Sequence, residues 1–368
     1  MARDRIFLSP PHMGGFEKAF IDMAFEKNYI APLGENVTGF EEDVKSFTGA
    51  KNALALSSGT AAIHLALKAF NIGASDRVAA SSFTFIGSVS PIWFVGAEPI
   101  FIDSDEASWN LDPSLFESAC KKYRPKALIV THIYGQAADL DSIRDLCDRY
   151  GVILIEDAAE SLGATYKGKY TGAIAQAGVY SFNGNKIITT SGGGMLVAPD
   201  EAIVKRAFFL ATQARENAPH YEHREVGYNY RMSNIVAGIG RGQMKVLESR
   251  VKRRREIFSF YRDALRDLPI GFMPELPNTR GNRWLTTITI EDRKITPERL
   301  RLALEAENIE SRPFWKPMHL QPVFQNAKQI TSGVSEKLFN KGLCLPSGAA
   351  ATNDELELIV RTIKSVFD

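Results

Sequence analysis

The chain has little cysteine. Its 368 residues include three, Cys120, Cys147 and Cys344, widely spaced and odd in number. No Cys-X-X-Cys pair occurs, which argues against a zinc ribbon or a disulfide framework and fits a reducing, intracellular setting. Net charge is equally scant, because 44 Lys and Arg stand against 43 Asp and Glu. Nothing global therefore points to nucleic acid or to an acidic membrane surface. No run of about 18 apolar residues appears, so no membrane-spanning helix is expected. The opening residues, Met-Ala-Arg-Asp-Arg and a short apolar patch broken at Pro10 and Pro11, lack the apolar core of a signal peptide. Internal repeats, low-complexity tracts and flexible linkers are missing too. These absences leave a cytoplasmic, globular protein as the expectation.

What is present is ordinary in amount and telling in order. A hydrophobic fraction of 45% and a charged fraction of 24% suit a chain with a sizeable core. The length allows two or three domain-sized units, or one large and one small. Short apolar runs at 53–56, 77–82, 99–103, 127–131, 152–156, 178–182 and 194–198 alternate with amphipathic stretches such as 61–70, 113–122 and 139–150. That rhythm predicts βαβ units and a mostly parallel, seven-stranded sheet covered on both faces. Several runs are apolar on consecutive residues, as strands buried on both faces require. Residues 236–268 read as one long helix or a broken pair, stopped by Pro269. Beyond it come a strand-like 285–290 and helical 297–307 and 354–366. The expected division is a large α/β unit over 1–245 and a smaller α+β unit over 246–368, joined by the long helix. Within that helix, Lys252-Arg253-Arg254-Arg255 is flanked by Glu248 and Glu256 and reads as a solvated face rather than a nucleic-acid patch.

In a doubly wound sheet, ligands bind beyond the carboxyl ends of the strands. Four features stand there. Ser57-Ser58-Gly59-Thr60 joins a strand to a helix, and its small residues and free N–H groups make a phosphate seat; a simple N-cap explains the same residues. Asp157 ends the run 152–156, where a carboxylate can pair with a protonated ring nitrogen or merely cap a helix. Lys186 follows the tight turn Asn183-Gly184-Asn185, 29 residues after Asp157. A lysine held in an interior turn loses solvation and offers a neutral amine for Schiff-base chemistry, although most lysines are surface charges. Phe83-Thr84-Phe85 brings an aromatic ring to the sheet edge, to stack on a flat cofactor or to pack in the core. Together, a phosphate seat, a stacking ring, a carboxylate for a pyridine and a lysine for an aldehyde describe pyridoxal 5'-phosphate.

At these residues the sequence resembles the DegT/DnrJ/StrS family of sugar-nucleotide aminotransferases. The likeness runs over essentially the whole chain. It rests on Ser58-Gly59-Thr60-Ala61-Ala62, Phe83-Thr84-Phe85, Glu156-Asp157-Ala158-Ala159-Glu160, the stretch 180–186, Gly227-Tyr228-Asn229-Tyr230-Arg231-Met232 and Arg312-Pro313-Phe314-Trp315-Lys316-Pro317-Met318-His319. The resemblance implies the type I (aspartate aminotransferase-like) fold. It implies a Schiff base on Lys186, a pyridine partner in Asp157, ring stacking by Phe85 and phosphate contacts from Gly59, Thr60 and Ser181. Glu160 occupies a site where the family often has His or Gln, near the cofactor's phenolic oxygen. Asn229 matches a residue that reaches the phosphate of a partner subunit, which implies a homodimer with shared active sites. Arg312, His319 and His223 are candidates for substrate contact. His220 and His223 lack an evident third ligand, so no metal is expected.

Within the family, the likeness is closest to the bacterial UDP-N-acetylbacillosamine aminotransferases. It is carried by the stretches 7–15, 29–34 and 212–217, and by Ser191-Gly192-Gly193-Gly194-Met195, where many family members have Gly-Glu-Gly-Gly. The implied reaction moves an amino group from L-glutamate to the 4-keto group of UDP-2-acetamido-2,6-dideoxy-4-keto-glucose, through pyridoxamine phosphate. The product, UDP-4-amino-4,6-dideoxy-N-acetylglucosamine, feeds protein glycosylation, lipopolysaccharide or capsule. An alternative is the GDP-4-keto-6-deoxymannose aminotransferase that makes perosamine; another is a non-catalytic regulator with the same fold. Related dehydratases carry histidine at the lysine position, and Lys186 argues against that chemistry.

Overall fold

The computed structural model describes residues 4–368; residues 1–3, part of the N-terminal stretch read above, lie outside the described residues. The centre is one large sheet. Its strands are β1 (Asn52–Leu56), β2 (Arg77–Ser81), β3 (Glu98–Ile102), β4 (Ala127–Thr131), β5 (Ile153–Asp157), β6 (Ala177–Ser181), β7 (Gly194–Ala198) and a short β8 (Lys328–Ile330). They lie in the order β1-β7-β6-β5-β4-β2-β3-β8. The contacts from β6 across to β8 are all parallel, whereas β7 runs antiparallel to both β6 and β1. The seven strands expected between residues 52 and 198 are therefore joined by an eighth from near residue 330.

Alternation along the strands explains the consecutive apolar runs. Ile129 of β4 and Ile155 of β5 face one core, with the helix α1 (Gly59–Ala69) and the helix Glu201–Ala211. Leu128, Val130 and Leu154 face the opposite core, with the helices Pro113–Tyr123 and Leu140–Tyr150. Each face is dry, so each residue of a central strand is apolar until the strand reaches its carboxyl end. Side-chain caps fix where the helices begin. Ser58, Asp112, Asp139 and Asp200 each accept a hydrogen bond from a backbone N–H in the first turn of the helix that follows.

The long helical stretch is a broken pair, Asn234–Met244 and Leu247–Ala264. The second helix packs with the helices Pro297–Ala306 and Asn353–Phe367 against a four-stranded antiparallel sheet. That sheet is ordered Ile270–Phe272, Thr286–Ile290, Gly342–Leu345, Arg312–Pro313. The division expected at about residue 245 falls in the break between the two helices, but β8 crosses it by pairing with β3. The crossing is reinforced by Asp103, which is buried at the end of β3 and accepts backbone N–H bonds from Ser332, Gly333 and Ser335.

The reading of 252–255 as a solvated face does not hold for Arg254, which is 2% exposed. Arg255 is half-buried and pairs with Glu275. Helical spacing puts residue 254 on the apolar stripe, three residues after Val251 and four before Phe258, but the basic run masks it. No helix among the described residues is long and apolar enough to cross a membrane.

Candidate active site

The carboxyl ends of β1, β5 and β6 open onto one cavity of about 320 Å³. Its first wall is the start of α1. Gly59 and Thr60 carry N–H groups with no partner inside the helix, and the helix dipole adds positive potential there. Two glycines allow this seat to form. A Cβ on Gly59 would lie 3.3 Å from Cβ of Ser181, and a Cβ on Gly194 would strike the Ser58 carbonyl carbon at 2.3 Å. Ser181, the last residue of β6, thus stands against the seat.

Asp157 ends β5, in register with Thr131 of β4 and Val179 of β6. One carboxylate oxygen accepts the Ser88 hydroxyl, and the other accepts the Ala159 N–H at 3.0 Å. Ser88 bonds Thr84, which bonds Thr131, at 2.8 and 2.9 Å. This buried chain of hydroxyls fixes the carboxylate while leaving it on the cavity wall.

Lys186 enters from the turn after β6. Its N–H donates to the Asn183 carbonyl at 3.0 Å, closing the turn. The side chain is 12% exposed, and its Nζ lies 3.9 Å from Oε1 of Glu160 and 4.1 Å from the centre of the Trp284 ring. Burial pushes the lysine pKa below its ordinary value, while the charges of Glu160 and Asp157 pull it back up. Glu160 accepts the Tyr134 N–H at 2.6 Å and the Trp315 indole N–H at 3.2 Å. Burial pushes its pKa up to about 7, against the pull of the Lys186 ammonium. The result is a poised pair, an amine easily made neutral beside a carboxyl easily protonated.

The opposite wall is aromatic. Phe85 is 48% exposed and its ring lies 5.2 Å from that of Trp315. Trp284 and Trp315, with Ser88 and Asn185, line the cavity without having been singled out from the sequence. Trp315 lay inside a quoted motif and carried a signal. Trp284 gave none, because nothing local marks a tryptophan that will face a lysine about 100 residues away.

The cavity gathers Lys186, Asp157, Gly59, Thr60, Phe85, Glu160 and Ser181. Four other candidates lie elsewhere. Asn229 and His223 are exposed and off the cavity, with His223 Nδ1 2.8 Å from the Gln213 carbonyl oxygen. Arg312 lines an adjoining cavity of about 640 Å³, which meets the first at Asn185, Trp284 and Trp315. His319 lines neither; its two ring nitrogens are held by Ser82 at 2.6 Å and Glu336 at 3.1 Å.

The profile of the DegT/DnrJ/EryC1/StrS aminotransferase family matches residues 12–364. The chain belongs to this family. As a member of the DegT/DnrJ/EryC1/StrS family it is a pyridoxal-phosphate-dependent sugar aminotransferase. EpsN of Bacillus subtilis (strain 168), named as a candidate pyridoxal phosphate-dependent aminotransferase, is 50% identical over 99% of this chain and 96% of that protein. GDP-perosamine synthase of Vibrio cholerae is 34% identical, over 97% of this chain and 98% of its own length. A solved DegT DnrJ EryC1 StrS aminotransferase from Brucella abortus superposes with a TM-score of 0.88 at 27% identity, covering 95% of this chain and 94% of that one. The cavity fits the family's cofactor. A glycine-built anion seat, a fixed carboxylate and a desolvated lysine share one small volume with an exposed ring.

Proposed function

We propose that this chain transfers the amino group of L-glutamate to the 4-keto carbon of UDP-2-acetamido-2,6-dideoxy-4-keto-glucose, releasing 2-oxoglutarate and the UDP-linked 4-amino sugar. The observation that carries the catalytic half of this reading is the convergence of the Lys186 amine and the Asp157 carboxylate on one cavity beside a phosphate seat. In this reading Gly59, Thr60 and Ser181 hold the cofactor phosphate, Phe85 stacks on the ring, Asp157 pairs with the pyridine nitrogen and Glu160 sits near the phenolic oxygen. When bound, pyridoxal phosphate supplies the electron sink for the C–H bond that breaks at the amino-bearing carbon. Lys186 Nζ would take that proton and return it beyond the amino nitrogen, to the aldehyde-derived carbon of the cofactor; its lowered pKa suits the neutral base. Glu160, with a pKa near neutrality, stays close enough to hold or yield a proton as the lysine charge changes.

The adjoining 640 Å³ cavity supports a nucleotide-linked substrate. It is lined by Phe7, Trp284, Phe314 and Trp315, with Arg312 as its basic group. Flat apolar walls suit a base and ribose, and a guanidinium suits a diphosphate. The uridine and N-acetyl assignments rest on the likeness of 7–15 and 191–195 to the bacillosamine subgroup. A GDP-linked 4-keto-6-deoxymannose is the second reading, favoured by the perosamine synthases among the relatives. Exposed Asn229 and the exposed Phe85, Ile86, Trp93 and Phe94 support a homodimer in which Asn229 serves the other subunit's phosphate. Three unpaired, buried cysteines suit the cytoplasm.

Incubation of purified protein and L-glutamate with UDP- and GDP-linked 4-keto-6-deoxy sugars tests the assignment. The expected product is the UDP-linked 4-amino sugar, read by mass spectrometry and NMR. Turnover of the GDP substrate alone would replace the first reading with the second.

A further inference from the structure

Lys186 is controlled at both its root and its tip. The peptide unit joining Asn185 to Lys186 is planar, so fixing its two polar ends fixes the direction in which the lysine leaves the chain. Its N–H donates to the Asn183 carbonyl at 3.0 Å. Its carbonyl oxygen accepts two bonds, from the Ser9 hydroxyl at 2.7 Å and from the Trp284 indole N–H at 2.7 Å. The tip, Nζ, lies 4.1 Å from the centre of the ring of the same Trp284. Both donors lead to one residue. Arg254 donates one guanidinium N–H to the Trp284 carbonyl and another to Ser9 Oγ at 2.9 Å.

Arg254 is an unusual residue to find there. It is among the largest fully enclosed side chains, and among the described residues it makes no ion pair. A guanidinium is costly to bury without a carboxylate. Here its two terminal nitrogens go to neutral oxygens and its Nε has no hydrogen-bond partner among the described residues. Burial, then the charge of Arg250, pulls its pKa down to about 9. The planar fork suits this place because its two nitrogens leave at fixed angles and tie two separate segments together. One segment is the N-terminal strap at Ser9; the other is the turn before Thr286–Ile290. Neither belongs to the large sheet, yet each hydrogen-bonds the lysine turn.

We propose that Arg254 is a positioning residue for Lys186, acting through Ser9 and Trp284 on the Asn185–Lys186 peptide and on the surface where the amine rests. The inference rests on the reading of Lys186 as the cofactor-bound lysine. A merely architectural Arg254 would set stability alone. A positioning Arg254 sets the orientation of the amine, and misplacement by about 1 Å is worth up to about 100-fold in rate.

The test uses the full-length holoenzyme and the variants Ser9→Ala, Arg254→Met and Arg254→Lys. Borohydride reduction and peptide mapping of the wild type first establish whether residue 186 carries the cofactor. Absence of label at 186 sinks the reading of the site itself, separately from this inference. With that in hand, the pH midpoint of the visible absorption band and the single-turnover rate with L-glutamate are measured for each variant. Arg254→Met should slow the single turnover by about 10- to 100-fold and move the midpoint, with the Kd for glutamate unchanged. Ser9→Ala removes the relay oxygen alone and should change both quantities in the same direction by a smaller factor. Arg254→Lys should recover part of the rate, because it restores charge and one donor. If Arg254→Met does not fold, Ser9→Ala decides. The inference fails if Ser9→Ala keeps the wild-type midpoint and rate, or if Arg254→Met lowers the melting temperature while leaving both unchanged.

Discussion

The two walls of the cavity around Lys186 are built from different kinds of sequence. One wall is the carboxyl edge of the large sheet: Gly59 and Thr60 after β1, Asp157 at the end of β5, Ser181 and Lys186 after β6. Each follows an apolar run by a residue or a few. The other wall is Trp284 and Trp315, brought in from the C-terminal third, with Arg254 and Ser9 behind Trp284. The first wall carries the groups proposed to make and break bonds. The second carries groups that fix those by contact. In the proposed reading, chemistry sits where the fold guarantees position, and positioning is left to tertiary packing.

The comparison can be broken by substitutions on each wall. Lys186→Ala should abolish amino transfer and leave the circular dichroism spectrum unchanged; full retained activity would empty the first wall of its role. Asp157→Asn keeps shape and removes charge, and should cut turnover by about 100-fold or more, read as kcat with L-glutamate. On the second wall, Trp315→Phe removes the indole donor to Glu160. It should cost about 1 kcal/mol, a roughly fivefold loss in kcat/KM, and leave the protein folded. A fall as deep as that of Asp157→Asn would erase the distinction between the walls.

The mildest test concerns Glu160, which touches both walls. Its carboxyl pKa is raised to about 7 by burial. The folded chain therefore holds this proton more tightly than the unfolded chain. That contribution is fully present below the ordinary carboxyl value, about 4.3, and is lost as pH rises through about 7. Gln does not titrate. The melting temperature of apo Glu160→Gln, relative to wild type, should thus climb between about pH 5 and pH 8. A difference that stays flat with pH would mean that Glu160 keeps an ordinary pKa in the fold.

The same contrast explains what could be read from the chain. The sheet was legible because strands buried on both faces show as unbroken apolar runs, as in β4 and β5. The seat at Gly59, the carboxylate at Asp157 and the amine at Lys186 were legible because strand ends and turn residues are local. β8 escaped notice because three residues, Lys-Gln-Ile, carry no period. Trp284 escaped because its meaning lies in a contact with a residue about 100 positions away. Arg254 was misread as solvated because a basic run describes charge and says nothing about which member turns inward. Tyr134, whose N–H binds Glu160 from a left-handed backbone, φ 51°, is invisible for the same reason: no local pattern announces that a tyrosine adopts it.

The short strand β8 has one more effect. It pairs with β3, whose residues Glu98–Ile102 would otherwise end the sheet with a bare ladder beside an apolar Pro-Ile-Phe-Ile face. During synthesis that ladder is made more than 200 residues before its cover emerges. A nascent or truncated chain stopped short of residue 328 therefore presents a sticky margin open to other chains. A three-residue strand made late in synthesis thus seals the sheet against self-association.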